Sequence, residues 1–96
     1  MMTALVHFDP EGTRTIGAWV RPDEAKPAQF AYRGTNHEFQ IGKAVIDAQP
    51  DGESWLDWCR QLAQRTPVNS WYEIREVTDT ATAQDVLDAE MVRQRA

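Results

Sequence analysis

The segment ALVHFDPEGTRTIGAWV, residues 4–20, decides the fold of this chain. Ala4, Val6 and Phe8 share one parity before the central DPEG, and three apolar residues share one parity after it. Proline fits the first central position of a type I turn, and Gly12 supplies the left-handed residue that closes a three-residue bulged loop. The segment therefore predicts an N-terminal β-hairpin.

The bulged loop also predicts the register of this hairpin. It pairs positions 9 and 13, so Val6 faces Ile16 and Ala4 faces Ala18 on one side of the sheet. The hydrophobic pattern selects the same register. The other side is predicted to be half apolar, and it carries Thr3, Leu5 and His7 opposite Trp19, Gly17 and Thr15.

A second hairpin is predicted over residues 29–33 and 38–41, joined by a four-residue loop that contains His37. Its apolar side chains follow strand spacing, with Phe30 and Tyr32 facing Phe39 and Ile41. Gly42 then marks a bulge or bend, and residues 43–48 are a candidate further strand.

Two amphipathic helices are predicted, over about residues 54–66 and 81–93. In the first, Ser54 is the N-cap, and Asp57 completes an acidic variant of the capping box. At 100° per residue its apolar side chains span an arc of about 160°. The centre of that arc is formed by Trp55 and Cys59, and its edge by Trp58.

The C-terminal part of the chain combines one more strand with the second helix. Residues 71–78, WYEIREVT, have the composition of a strand that is bulged or covered on both faces. The second helix begins at Thr80 or Thr82, and its apolar stripe is interrupted by Glu90. The last turn of this helix is therefore expected to fray or to meet a partner. The stripe consists of Ala83, Val86, Leu87 and Met91.

These elements predict one α+β domain over residues 1–96. A mainly antiparallel sheet of four to six strands, made of two N-terminal hairpins and one later strand, packs one or two of the helices on one face. The chain has 96 residues, of which 42% are hydrophobic, and this is enough for a single core. So small a core leaves stability marginal or completed by a partner.

Charge and cysteine content exclude several classes of function. A net charge of −5 argues against direct binding to nucleic acid or to an anionic membrane. The single cysteine excludes an internal disulfide framework and a multi-cysteine zinc site. Since residues 1–8 lack the features of a signal peptide and no apolar run is long enough for a membrane span, a cytoplasmic location is expected. Eight arginines against two lysines are typical of a GC-rich bacterial or phage genome.

The inventory of reactive side chains is small. His7, His37 and Cys59 lie in three separate predicted elements, and nothing in their spacing makes them a nucleophile and base or a metal site. Cys59 lies in the middle of a helical apolar stripe, where it is expected to act as a small buried hydrophobe. The sequence predicts no catalytic, metal-binding or cofactor-binding residue.

The aromatic residues are the better indication of function. Trp19, Trp58 and Trp71 are expected to be half exposed, and Tyr32 with Arg33 forms a second patch. Because such side chains are enriched at interfaces, the sequence predicts a non-enzymatic interaction module that binds a protein partner or a second copy of itself. The acidic C-terminal half would steer its encounter with a basic partner. The alternative is a small-molecule-binding or enzymatic domain with a pocket between sheet and helix, using His7, His37 or Tyr32.

Overall fold

A computed structural model describes residues 2–8, 15–21, 28–33, 36–65 and 71–95 of the chain. The predicted α+β class is confirmed, because these residues form one four-stranded antiparallel sheet and three helices. The strand order across the sheet is 3-2-1-4. The elements in chain order are β1 (Met2–Phe8), β2 (Thr15–Val20), β3 (Gln29–Tyr32), α1 (Asn36–Asp47), α2 (Trp55–Gln64), β4 (Trp71–Val77) and α3 (Ala83–Arg95).

The sheet is covered by helices on both faces, not on one face as expected. Helix α3 packs on one side, against Ala4, Val6 and other side chains of the same parity. Helices α1 and α2 pack on the other side, where Leu5 and Trp19 are fully buried. The face that was predicted to be half apolar is therefore also part of the core. Strand β1 is buried along almost its whole length because it is central in the sheet and enclosed from both sides.

The register of β1 and β2 differs from the prediction by two residues. Ala4 faces Val20 and Val6 faces Ala18, with an irregularity near the end of β1. Over residues 4–7 and 17–20 the side chains nevertheless lie on the predicted faces, because they alternate with a period of two and a shift of two keeps each one on its side. Beyond the irregularity Thr15 pairs with Phe8, although the two were predicted on opposite faces. The predicted turn at residues 9–12 lies outside the described residues. The corrected register therefore rests on the observed pairing of β1 with β2.

The first strand of the predicted second hairpin is confirmed, and its second strand is wrong. Residues 29–32 form β3 and pair with β2, but residues 38–41 belong to helix α1. From Ile41 onward the side chains that reach the core follow helical spacing, with Val45 four residues later. The break in alternation after Ile41 is thus the helical period and not a bulge. His37 accordingly lies in the first turn of α1 instead of a loop.

Helices α2 and α3 lie close to their predicted positions because local capping defines their starts. The Ser54 side chain accepts a hydrogen bond from the Asp57 backbone N–H at 3.1 Å. Before α3, the Thr82 side chain accepts from the Asp85 N–H at 3.1 Å, and the Asp85 carboxylate accepts from the Thr82 N–H at 3.0 Å. Thr82 and Asp85 thus form a reciprocal capping box, whereas at α2 the structure shows the Ser54 half. Both caps satisfy backbone donors that a helix start leaves unpaired.

Gly42 lies in the middle of α1, buried against the ring of Phe30. A Cβ atom built at this position would overlap three atoms of that ring. The ring also stacks on Trp19, with centroids 5.0 Å apart and planes inclined by 12°. The absence of a side chain at Gly42 therefore lets α1 approach the sheet closely.

We expect Gly42→Ala to lower the free energy of unfolding by about 1 kcal/mol or more, measured by urea denaturation. Overpacking costs about 1–3 kcal/mol, whereas the gain in helix propensity is only about 1 kcal/mol. Lys43→Ala, at the exposed neighbouring position of the same helix, should stay within about 0.5 kcal/mol of the wild type. A stabilised Gly42→Ala variant would mean that α1 does not rest on Phe30.

Candidate functional site

Cys59 and His7 are both buried. Cys59 is fully buried, and burial raises the pKa of its thiol to about 12, so the thiol is protonated at neutral pH. His7 is also buried, stacked on Tyr72 with ring centroids 4.7 Å apart. Within the described residues, no group of three or more histidine, cysteine or acidic side chains is placed to hold a metal ion.

Two of the three tryptophans expected at the surface are buried. Trp19 is 0% exposed and Trp58 is 5% exposed, so the expectation that they are half exposed is wrong. Their indole N–H groups donate to backbone carbonyls of α1, Trp19 to Gly42 at 3.1 Å and Trp58 to Val45 at 3.0 Å. Helix α1, which the sequence did not predict, covers both rings, so neither is offered to a partner in this fold.

Trp71 is the tryptophan that keeps part of its surface accessible. It begins β4 and is half-buried, with its ring stacked on Phe8 at a centroid distance of 5.3 Å. Its indole N–H donates a hydrogen bond of 2.9 Å to the Glu73 carboxylate. The ring is therefore held in one orientation beside the edge of the sheet.

An ion-pair network connects β4 with α3. The Arg75 Nε donates to Glu90 at 2.8 Å, and another nitrogen of the same guanidinium donates to Glu73 at 3.1 Å. Arg93 reaches the same Glu90 oxygen at 3.0 Å. The Glu90 side chain is only 6% exposed. The acidic residue that interrupts the apolar stripe of α3 thus finds its counter-charge inside the chain, and this contact explains its position without a partner.

The hydrogen bonds of this network stabilise its charged forms. The indole N–H of Trp71 lowers the pKa of the Glu73 carboxylate, and Arg75 lowers it further by hydrogen bond and charge. Burial by itself would lower the pKa of the Arg75 guanidinium, but its bonds and charge pairs with Glu90 and Glu73 outweigh burial and raise it. At neutral pH, β4 therefore presents a carboxylate and a guanidinium two residues apart.

Strand β4 is also an edge of the sheet. Its inner side pairs with β1 over all seven residues, from Trp71 opposite Phe8 to Val77 opposite Met2. No described strand pairs with its outer side. An edge of this length, without glycine or proline, leaves a row of backbone donors and acceptors that another strand can use.

Tyr32 and Arg33 lie at the opposite edge of the sheet, at the end of β3. The Tyr32 side chain is 41% exposed and packs on Phe39 with ring centroids 4.9 Å apart. Arg33 is half-buried. The structure therefore does not join this pair to Trp71, since the whole width of the sheet separates β3 from β4.

A groove does lie between the sheet and two helices, but not with the residues predicted for it. It has a volume of about 290 Å³ and is lined by residues of α1 and α2 and by Tyr72 of β4, with Trp58 and Arg65 among the lining residues. Arg65 lies over the Trp58 ring at 5.3 Å from its centroid. Neither His7 nor Tyr32 belongs to the described lining.

Glu73, Arg75 and Glu90 are the site residues that sequence reasoning missed. The sequence contained a signal for each of them. Glu73 and Arg75 are an acidic and a basic residue at alternate positions of a predicted strand, and Glu90 is a carboxylate inside an apolar helical stripe. Their pairing depends on β4 and α3 meeting in space, which neither pattern specifies.

The described residues form a three-layer α+β arrangement in which β4 is the longer of the two edge strands. No family model matches the sequence, and no curated protein or solved structure matches it significantly. Among the helices in the described ranges, none is both long and apolar enough to cross a membrane.

Proposed function

We propose that this chain is a non-enzymatic interaction module of the cytoplasm, and that it binds a protein partner or a second copy through the outer edge of β4. The observation that carries this proposal is the edge itself: seven residues in regular strand geometry whose outer side no described strand occupies. Strand addition at such an edge is a common mode of protein recognition, because the backbone supplies hydrogen bonds and alternate side chains supply selectivity.

The side chains beside this edge support the same proposal. Trp71 offers a half-buried ring that is already oriented by Phe8 and Glu73, so little conformational entropy is lost when a partner covers it. Glu73 and Arg75 add a fixed pattern of charge along the strand. The excess of acidic residues in the C-terminal half would favour the approach of a basic partner.

The alternative, a small-molecule site between sheet and helices, has less support. Its groove of about 290 Å³ is at the lower end of the range for ligand pockets, and the exposed residues Ala44 and Ala48 form part of its lining. The buried, protonated thiol of Cys59 also offers no nucleophile nearby.

Affinity capture from the native host, read by mass spectrometry, tests the proposal with three baits. The wild type and Val92→Ala should retain the same protein, whereas Trp71→Ala should lose it. Val92 is the control because it is apolar, 65% exposed and part of α3, not of the edge strand. A tagged bait mixed with untagged chain reports self-binding in the same assay. If all three baits retain the same proteins, or none retains any and no untagged copy is captured, the proposal is wrong.

A further inference from the structure

We propose that the outer edge of β4 pairs with β4 of a second copy, antiparallel, around a two-fold axis at Ile74. This inference rests on the proposed function and names its partner. The resulting sheet would have eight strands, with the two β4 strands at its centre. Symmetric antiparallel pairing requires a two-fold axis perpendicular to the sheet, and this axis keeps each face of the sheet on the same side in both copies. Residues directly opposite each other therefore point to the same face, so their sequence numbers are both odd or both even. The axis then passes beside one residue, which faces its own counterpart.

The charges on β4 select the centre. With Ile74 on the axis, Glu73 of each copy lies opposite Arg75 of the other, and all seven residues are paired. Trp71 then lies opposite Val77 on the face covered by α3, and Tyr72 lies opposite Glu76 on the other face. Glu73 has a 43% exposed side chain, and so it has room to contact a second guanidinium in addition to its own Arg75.

The neighbouring registers are disfavoured by the same charges. Centring the pair on Glu73 places two carboxylates opposite each other, and centring it on Arg75 places two guanidinium groups opposite each other. Like charges directly across an antiparallel pair are destabilising, whereas opposite charges are favourable. Centres further along the strand leave most of the edge unpaired. One register therefore combines full pairing with complementary charge.

Sedimentation equilibrium across micromolar concentrations tests this inference. We expect a reversible monomer–dimer equilibrium for the wild type. Glu73→Lys should weaken the dimer by about tenfold, because two attractive cross-strand pairs become repulsive. Glu76→Lys is the matched control, since it makes the same change of charge on the same strand but faces the uncharged Tyr72. Its dissociation constant should stay within about threefold of the wild type.

Two further measurements separate loss of pairing from loss of folding. Glu73→Gln keeps an acceptor for the Trp71 indole and removes only the charge, so it should weaken the dimer less than Glu73→Lys while melting near the wild type. Hydrogen exchange of the β4 amides in the wild type should slow as concentration rises, in step with dimer formation, because the outer backbone groups become bonded.

A chain that stays monomeric over the whole micromolar range overturns the inference. The charges on β4 would then prevent another strand from pairing with this edge. So does a dimer whose β4 exchange is independent of concentration, or one that both lysine variants weaken equally. If the chain is monomeric but still captures a host protein that Trp71→Ala loses, this inference fails and the proposed function stands.

Discussion

Trp19→Ala is expected to lower the free energy of unfolding by about 3–5 kcal/mol, the range for removing a large aromatic side chain from a core. The ring is completely buried and stacks on Phe30 at 5.0 Å. Its N–H also donates to the Gly42 carbonyl, which would lose that donor. Small domains are stable by only about 5–15 kcal/mol, so this variant should lose a large fraction of its stability.

Urea denaturation followed by far-UV circular dichroism measures this effect. Trp19→Phe keeps most of the packing but not the hydrogen bond, and should cost roughly 1–3 kcal/mol. Val92→Ala, at an exposed apolar position, should change stability by less than about 0.5 kcal/mol. A cost of under about 1 kcal/mol for Trp19→Ala would mean that the ring lies at the surface, where the sequence pattern had placed it.

Arg75→Ala is expected to cost about 2–3 kcal/mol, because it leaves the buried Glu90 carboxylate with only Arg93 as its partner. Removing one member of a fully buried ion pair costs about 3–5 kcal/mol, and the estimate is lower here because Arg75 is 24% exposed. The double variant Arg75→Met with Glu90→Leu should be nearly neutral, since no charge is then left buried. The cost of Arg75→Ala therefore comes mainly from leaving the Glu90 charge buried, and the ion pair itself adds little net stability.

A double-mutant cycle from urea denaturation, at concentrations low enough to keep the chain monomeric, tests this account. Arg60→Ala is the control, because Arg60 pairs with Asp57 at 3.6 Å with both side chains about 60% exposed, and such pairs contribute less than about 1 kcal/mol. If the Arg75 and Glu90 substitutions add independently, the two side chains are not coupled and the network does not hold β4 to α3.

The sequence was most informative where structure depends on near neighbours. The caps at Ser54 and Thr82 bond to residues three positions away, so a linear pattern contains both partners. Four of the strands that it predicted, at 4–8, 16–20, 29–33 and 71–78, form β1, β2, β3 and β4. Residues 36–47 were harder, because Phe39 and Ile41 fit strand spacing and helical spacing equally well over so short a segment.

The candidate site could be predicted only in part, because the exposure of its aromatic residues depends on packing between distant elements. Tyr32 and Trp71 do have accessible surface, but Trp19 and Trp58 had the same local character and are buried. Trp19 and Trp58 are enclosed because α1 packs over them and accepts their indole N–H groups, whereas Tyr32 contacts α1 at Phe39 and stays partly exposed. The sequence had assigned this helix in part to a strand. Glu73 and Arg75 gained their importance only when β4 was placed at an edge of the sheet.

Local sequence was therefore sufficient for the α+β class, the faces of the strands and the starts of two helices, since these follow from residues two to four positions apart. Only the tertiary structure determined the register of the first two strands, the burial of Trp19 and the pairing of Glu90 with arginine side chains. The Trp19 indole bonds to a carbonyl 23 positions away, and Glu90 bonds to an arginine 15 positions away. Contacts over such separations depend on how whole elements pack, and the pattern within any one element does not specify them.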